Sequence, residues 1–225
     1  MLSFLSSSVL NKIVVAVTGL VLVGFVSGHM LGHLLMFVGQ DAYNTYAQNL
    51  QSLGPLLWGI RIFLLVCAVL HIIGTINITN KNKNAKAVGY NVKKYQNSTF
   101  SSRFMIYAGL AILFFVIYHL LHFTLGVVNA DYYNTFDSMQ RHDVYTMMIM
   151  SFKNPIIAVV YLLAVGFLGL HLNHGIKSVL QTLGLNKDSR RSKFELLSLV
   201  ASLFITVGYM IVPIAILLGY IGGNL

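Results

Sequence analysis

Between Lys12 and Asp41 the chain carries no Lys, Arg, Asp or Glu. A helix needs about 20 apolar residues in a row to cross the hydrocarbon of a bilayer, and this run is longer. Four later stretches are similarly apolar. The expectation is an all-α membrane protein, a helical bundle forming one transmembrane domain over 1–225, with five spans near 11–38, 56–79, 103–128, 154–180 and 195–221. Helices suit lipid because each satisfies its own backbone, whereas barrel strands read as short alternating segments. Charged residues make up 9% of the 225, against roughly 25% in soluble domains. The first run is too long for a signal peptide and lacks a small-residue cleavage site. Cys67 is the single cysteine, so a disulfide framework is excluded, and a small buried side chain is expected there.

The breaks between spans are polar: "GQDAYNTYAQNLQSLGP", "NKNKNAKAVGYNVKKYQNSTFSSR", "NADYYNTFDSMQRHDVYT" and "GLNKDSRRSK". Pro55 and Pro155 stand at span starts, where a missing N–H does no harm, and Pro213 within the fifth span predicts a kink. A net charge of +9 suggests nucleic acid at first sight, but the cations cluster between apolar runs, which excludes that partner and points to membrane lipid. Lys81, Lys83, Lys86, Lys93, Lys94 and Arg103 lie between spans two and three. Lys177, Lys187, Arg190, Arg191 and Lys193 lie around the break between spans four and five. The other side has Arg61, Arg141 and Lys153 beside Asp41, Asp131, Asp137 and Asp143. Positive loops stay inside, so the N-terminus is expected in the cytoplasm and the C-terminus outside.

Seven histidines fall in the spans: His29, His33, His71, His119, His122, His171 and His174. His142 falls in an outer loop, where solvation is expected. Ionisable groups in a membrane usually mark a site. At about 1.5 Å per residue, His29 lies about 25 Å beyond Lys12 and His119 about 24 Å beyond Arg103, both toward the outer face. His71 lies about 15 Å before Lys81 and His171 about 9 Å before Lys177, both toward the inner face. Two levels with two imidazoles each match two six-coordinate haems, which carry electrons and leave no open position for oxygen. Gly28, Gly32, Gly74, Gly126, Gly169 and Gly175 stand near these histidines. They would admit a flat macrocycle, or serve close helix packing. His33, His122 and His174 lie three or four residues from the proposed ligands, on the same helix faces.

Other readings fit less well. The pairs His29/His33, His119/His122 and His171/His174 resemble the histidine boxes of membrane di-iron desaturases, but they do not converge at one level and no carboxylate lies mid-span. That absence also weakens a proton- or sodium-coupled transporter. A bare structural anchor would leave the histidines unexplained.

The segments "GHMLGHLLMF", "AYNTYAQNLQSLGP", "VLHIIGTINI", "VIYHLLHF" and "LHLNHGIKSVLQTLGL", in this order, resemble the cytochrome b558 membrane anchor of succinate dehydrogenase or fumarate reductase, in its five-helix, two-haem form. The resemblance implies two haem b groups. His29 and His119 would ligate the outer haem, and His71 and His171 the inner one. It implies His33 and His174 as neighbours rather than ligands. His33, His122, His174, Arg103 and Lys177 are then candidates for propionate or quinone contacts, with Lys93 and Lys94 as further basic candidates. The implied partners are flavoprotein and iron–sulfur subunits on the cytoplasmic side of a bacterial inner membrane. The implied electron partner is membrane quinone, with menaquinone the expected type. The resemblance implies the succinate/fumarate couple and not its direction. The chain alone should not oxidise succinate, having no nucleotide-binding pattern and no cysteine cluster. A quinone pocket is expected at the outer level among His33, Tyr43, Tyr46, Gln48, Trp58, His122 and Tyr132. Some fumarate-reductase relatives carry a Glu where this chain has Gly169, so their transmembrane proton path is not expected here.

Overall fold

The computed structural model describes residues 8–84, 100–185 and 191–223. Lys86, Lys93, Lys94, Lys187 and Arg190 lie outside the described residues. Five helical stretches are long and apolar enough to cross a membrane: Val9–Phe37, Pro55–Asn84, Arg103–Thr124, Pro155–Thr182 and Arg191–Leu217. The helices are α1 (Ser8–Leu34), α2 (Gln40–Ser52), α3 (Pro55–Asn84), α4 (Phe100–His119), α5 (Val144–Lys153), α6 (Pro155–Thr182) and α7 (Arg191–Leu217). Helix α2 occupies a segment whose polarity marks it as a connection, and α5 falls mostly between the polar break ending at 146 and the expected fourth span from 154.

Local chemistry sets the ends. Pro155 opens α6, and the Asn154 side chain accepts from the Ile156 N–H at 3.0 Å. Asp143 caps α5 by accepting from the Thr146 N–H at 3.1 Å. Helix α3 continues to Asn84, past the expected end at 79, with Lys81 and Lys83 in its last turn; cations there complement the helix dipole. The third span stops at Thr124 rather than 128. Leu120–Thr124 forms a π turn, with the Leu125 N–H on the Leu120 carbonyl at 2.8 Å, and Gly126 then reverses the chain at φ +59°. Helix α7 starts at Arg191, ahead of the expected 195, and runs on through Pro213.

Helix α1 packs against α3, α6 and α7, while α4 packs on α6, and α6 on α7. Small residues permit these approaches: a Cβ on Gly74 would lie 2.6 Å from Val15 Cγ2, and one on Gly169 would lie 2.4 Å from Thr206 Oγ1. Close approach of small residues is how helices associate in lipid. Helices α2 and α5 pack on each other and close one end of the bundle, termed the cap here, with α5 also seated on α6 and α7. A buried cluster at that end includes Met36, Tyr43, Ile149, Phe152, Tyr161 and Val212. Cys67 is a buried free thiol, as expected.

Candidate functional site

The histidines meet in pairs. His29 of α1 and His119, the last residue of α4, have ring centroids 6.0 Å apart and planes crossed by 80°. His71 of α3 and His171 of α6 stand 6.3 Å apart with planes 58° apart. Imidazole nitrogens bind a metal at about 2 Å, so two rings on opposite sides of one ion have centroids roughly 6 Å apart. The helices carrying each pair pack mainly on other partners among the described residues: α1 chiefly on α3, α6 and α7, α3 chiefly on α1, and α4 chiefly on α6. Open space also adjoins both layers, since a Cβ on Gly24, Gly28 or Gly175 would meet nothing within 4 Å. Neutral nitrogen donors, opposed rings and room at the side together fit haem. Gly32, Gly74 and Gly169 instead serve packing, and Gly126 turns the chain against Tyr133.

In the layer nearer the cap, His29 stacks on Phe25 with centroids 5.4 Å apart. Its Nε2 lies 3.1 Å from His33 Nε2. His33 Nδ1 in turn meets the Tyr43 hydroxyl of α2 at 2.8 Å. Tyr209 of α7 lies beside both rings, with its hydroxyl donating to the Val26 carbonyl at 2.7 Å. His119 Nδ1 is 3.4 Å from the Tyr161 hydroxyl. His122 is 2% exposed, and both its nitrogens have partners, Tyr161 OH at 3.1 Å and Ser151 Oγ at 3.2 Å. In the far layer, His71 Nδ1 donates to the Val15 carbonyl at 3.1 Å. His171 Nδ1 is buried without a partner among the described residues, as is Asn173 Oδ1. His174 is half-buried one turn further along α6.

The other candidates scatter. Tyr43 is buried beside His33, and Tyr46 packs its hydroxyl over Gly32. Gln48, Trp58 and Tyr132 are exposed, with the Arg61 guanidinium 5.1 Å over the Trp58 ring. Arg103 and Lys177 lie on α4 and α6, away from the cap. His142, expected to be solvated, is half-buried and hydrogen-bonds the Tyr133 carbonyl. The 129–143 segment folds back on itself through a Phe136–His142 bridge, and that fold buries the ring.

The cap is held by a polar network. Asn44, fully buried, donates to Asp137 Oδ2 at 3.0 Å and Asp143 Oδ1 at 2.9 Å, and accepts from the Tyr145 N–H at 3.0 Å. Arg141 donates to Asp137 Oδ2 at 2.7 Å, Asp41 Oδ1 at 2.9 Å and Thr45 Oγ1 at 2.7 Å. Burial alone would raise the pKa of Asp137. Hydrogen bonds from the Arg141 N–H, Asn44, the Arg141 guanidinium and the Met139 N–H outweigh it and lower the carboxyl to about 2. Asp143 behaves likewise: burial pushes it up, and donors from Asn44, Thr146 and Gln40 bring it below its ordinary value. Burial raises the Tyr43 hydroxyl, which keeps it a neutral partner for His33.

Tyr161, Ser151, Tyr209, Thr18 and Gly19 escaped the sequence reading. All contact a histidine or its partner from another helix, and hydropathy carries no signal for such contacts. A family model for the succinate dehydrogenase/fumarate reductase transmembrane subunit matches residues 79–209, more than half of the chain. The match includes His119, His122, His171 and His174 and begins after His29 and His71. Neither a comparison with curated proteins nor one with solved structures returned a match.

Proposed function

The chain belongs to the succinate dehydrogenase/fumarate reductase transmembrane subunit family, and we propose that within it the protein is a di-haem cytochrome b anchor relaying electrons between an iron–sulfur subunit and membrane quinone. It is a multi-pass membrane subunit of that complex, and the family implies association with the catalytic subunits. One observation carries the finer reading: two imidazole pairs, 6.0 and 6.3 Å apart, each borne by two helices whose main packing partners lie elsewhere.

His29 and His119 would hold the haem nearer the cap, and His71 and His171 the other. A haem b held by two such imidazoles would supply one-electron transfer rather than gas activation. The surrounding helices present lipid-facing apolar side chains, which exclude water from the rings. The cationic residues Lys81, Lys83, Arg103, Arg191 and Lys193 support a cytoplasmic location for the end remote from the cap, where the iron–sulfur subunit would dock. The outer cap would then face away from that subunit, and quinone would react at its side of the bundle. There His33 is the group with a proton to give or take, backed by Tyr43. His122, enclosed by Tyr161 and Ser151, serves the protein interior.

A di-iron oxidase needs several protein ligands around one centre. Among the described residues no group of three or more His, Cys, Asp or Glu is placed to hold a metal ion. The reading is tested by the absorption spectrum and pyridine haemochrome content of the purified complex. The expected result is a low-spin b-type spectrum with two haems per chain. One haem, or none, in a fully assembled complex sinks it.

A further inference from the structure

Ser151 Oγ donates to the Met147 carbonyl at 2.7 Å. A serine hydroxyl has one proton, so toward His122 Nε2, 3.2 Å away, it can only accept. His122 therefore carries a proton on Nε2. Its ring is 2% exposed and its partners are a serine and a tyrosine, neither anionic. A buried imidazolium there would lack a counter-ion, so the ring is neutral and Nδ1 is an acceptor. The Tyr161 hydroxyl, 3.1 Å from Nδ1, is then the donor. Tyr161 has no second proton for His119 Nδ1 at 3.4 Å, so that contact forms with His119 Nδ1–H donating to the phenol oxygen. The chain runs from His119 to Tyr161, His122, Ser151 and the Met147 carbonyl, and α5 sets its direction. His119 is left with a bare Nε2, the nitrogen a metal can take.

The geometry points to Tyr161, backed by His122 and Ser151, as the positioning group that fixes the tautomer and ring orientation of His119. This rests on the haem reading above. The partner that orients a metal-ligating histidine through its other nitrogen matters nearly as much as the ligand itself. The far layer has a counterpart. His71 Nδ1 donates to the Val15 carbonyl at 3.1 Å, with Thr18 Oγ1 at 3.3 Å as a second acceptor, because the Thr18 proton goes to Val14 at 2.7 Å. The opposite members differ: His29 meets His33 through Nε2, and His171 Nδ1 has no partner among the described residues.

The test uses the assembled complex in detergent. Tyr161→Phe keeps the ring and removes the hydroxyl. Haem content at saturating haem should remain two per chain. Affinity at one site, measured by reconstitution with haem b, should fall about 10- to 100-fold, and one low-spin ferric EPR signal should move while the other stays. Ser151→Ala should move the same signal, and Ser151→Thr, which keeps the acceptor, should restore it. Unchanged signals and affinities in Tyr161→Phe overturn the proposal, as does movement of the signal that His71→Ala abolishes. If Tyr161→Phe does not assemble, the two Ser151 variants decide alone: a shift rescued by threonine upholds the chain, and identical spectra overturn it. A parent complex without haem overturns the haem reading and this inference together, whereas haem present with unmoved signals overturns this inference alone.

Discussion

A Cβ on Gly19 would stand 3.1 Å from His71 Cε1 and 3.4 Å from its Nδ1, so the His71 ring lies in the room that glycine leaves on α1. With Nδ1 tied to the Val15 carbonyl at 3.1 Å, the ring cannot retreat without losing that bond. Gly19→Val is expected to push His71 out of line with His171 and lower haem content from two per chain toward one, with helical circular dichroism unchanged. Full occupancy of both haems would show that the contact does not govern the ring.

Ligand and neighbour should separate cleanly. His71→Ala is expected to remove one haem, since no other described histidine reaches its place. His33→Ala should retain both haems and lose the bond to Tyr43. Haemochrome analysis of the two variants checks this, and loss of a haem from His33→Ala together with its retention in His29→Ala would reverse the assignment in α1.

Asn44 joins α2 to α5 and to the loop before it with three hydrogen bonds while fully buried. Asn44→Ala should therefore cost about 2 kcal/mol, read as a lower midpoint in detergent unfolding. An unchanged midpoint would mean that apolar packing alone holds the cap.

The cap should also respond to acid. The folded pKa of Asp137 is about 2, below its ordinary 3.8, and that of Asp143 is lowered too. Depressed carboxylates contribute stability in full above about pH 4 and lose it as pH falls through the folded values. Hydrogen-exchange protection across 129–146 is expected to hold down to about pH 4 and decline toward pH 2. In Asp137→Asn protection should start lower and vary less over that window. Flat protection in the parent protein would refute the linkage.

Orientation is open to labelling. Gln51 and Asn84 are exposed at opposite ends of the bundle. An impermeant maleimide applied to intact cells should modify Gln51→Cys and spare Asn84→Cys. The reverse pattern would invert the topology and move the partner subunits to the cap.

The five spans and the pairing of His29 with His119 and of His71 with His171 were legible because lipid imposes long uncharged runs and a fixed rise turns sequence distance into depth. Helix α2 was not. "QDAYNTYAQNLQS" is polar because it packs on α5 and the network around Asp143, and such a helix looks like a loop to any hydropathy reading. The Asn44–Asp143 contact joins positions 99 residues apart, and nothing local announces it. The early end of the third span has a similar cause. The apolar run continues past Thr124, but the π turn and Gly126 end the helix. Of the glycines singled out as room for a macrocycle, Gly28 and Gly175 border open space. Gly32, Gly74, Gly126 and Gly169 are filled by Tyr46, Val15, Tyr133 and Thr206, neighbours that only the folded chain supplies. At Gly169 a side chain would have to displace Thr206, whose Oγ1 stands 2.4 Å from where a Cβ would lie.

Each imidazole pair takes one ring from the first half of the chain and one from the second: α1 with α4, and α3 with α6. On the di-haem reading, a ribosome that stalls after α3 would leave half of each ligand set in the membrane and complete neither. The first pair closes once α4 has been inserted, and the second once α6 follows. Cofactor capture would then report how far synthesis has gone, and a product cut short before α4 would reach the quality-control proteases colourless.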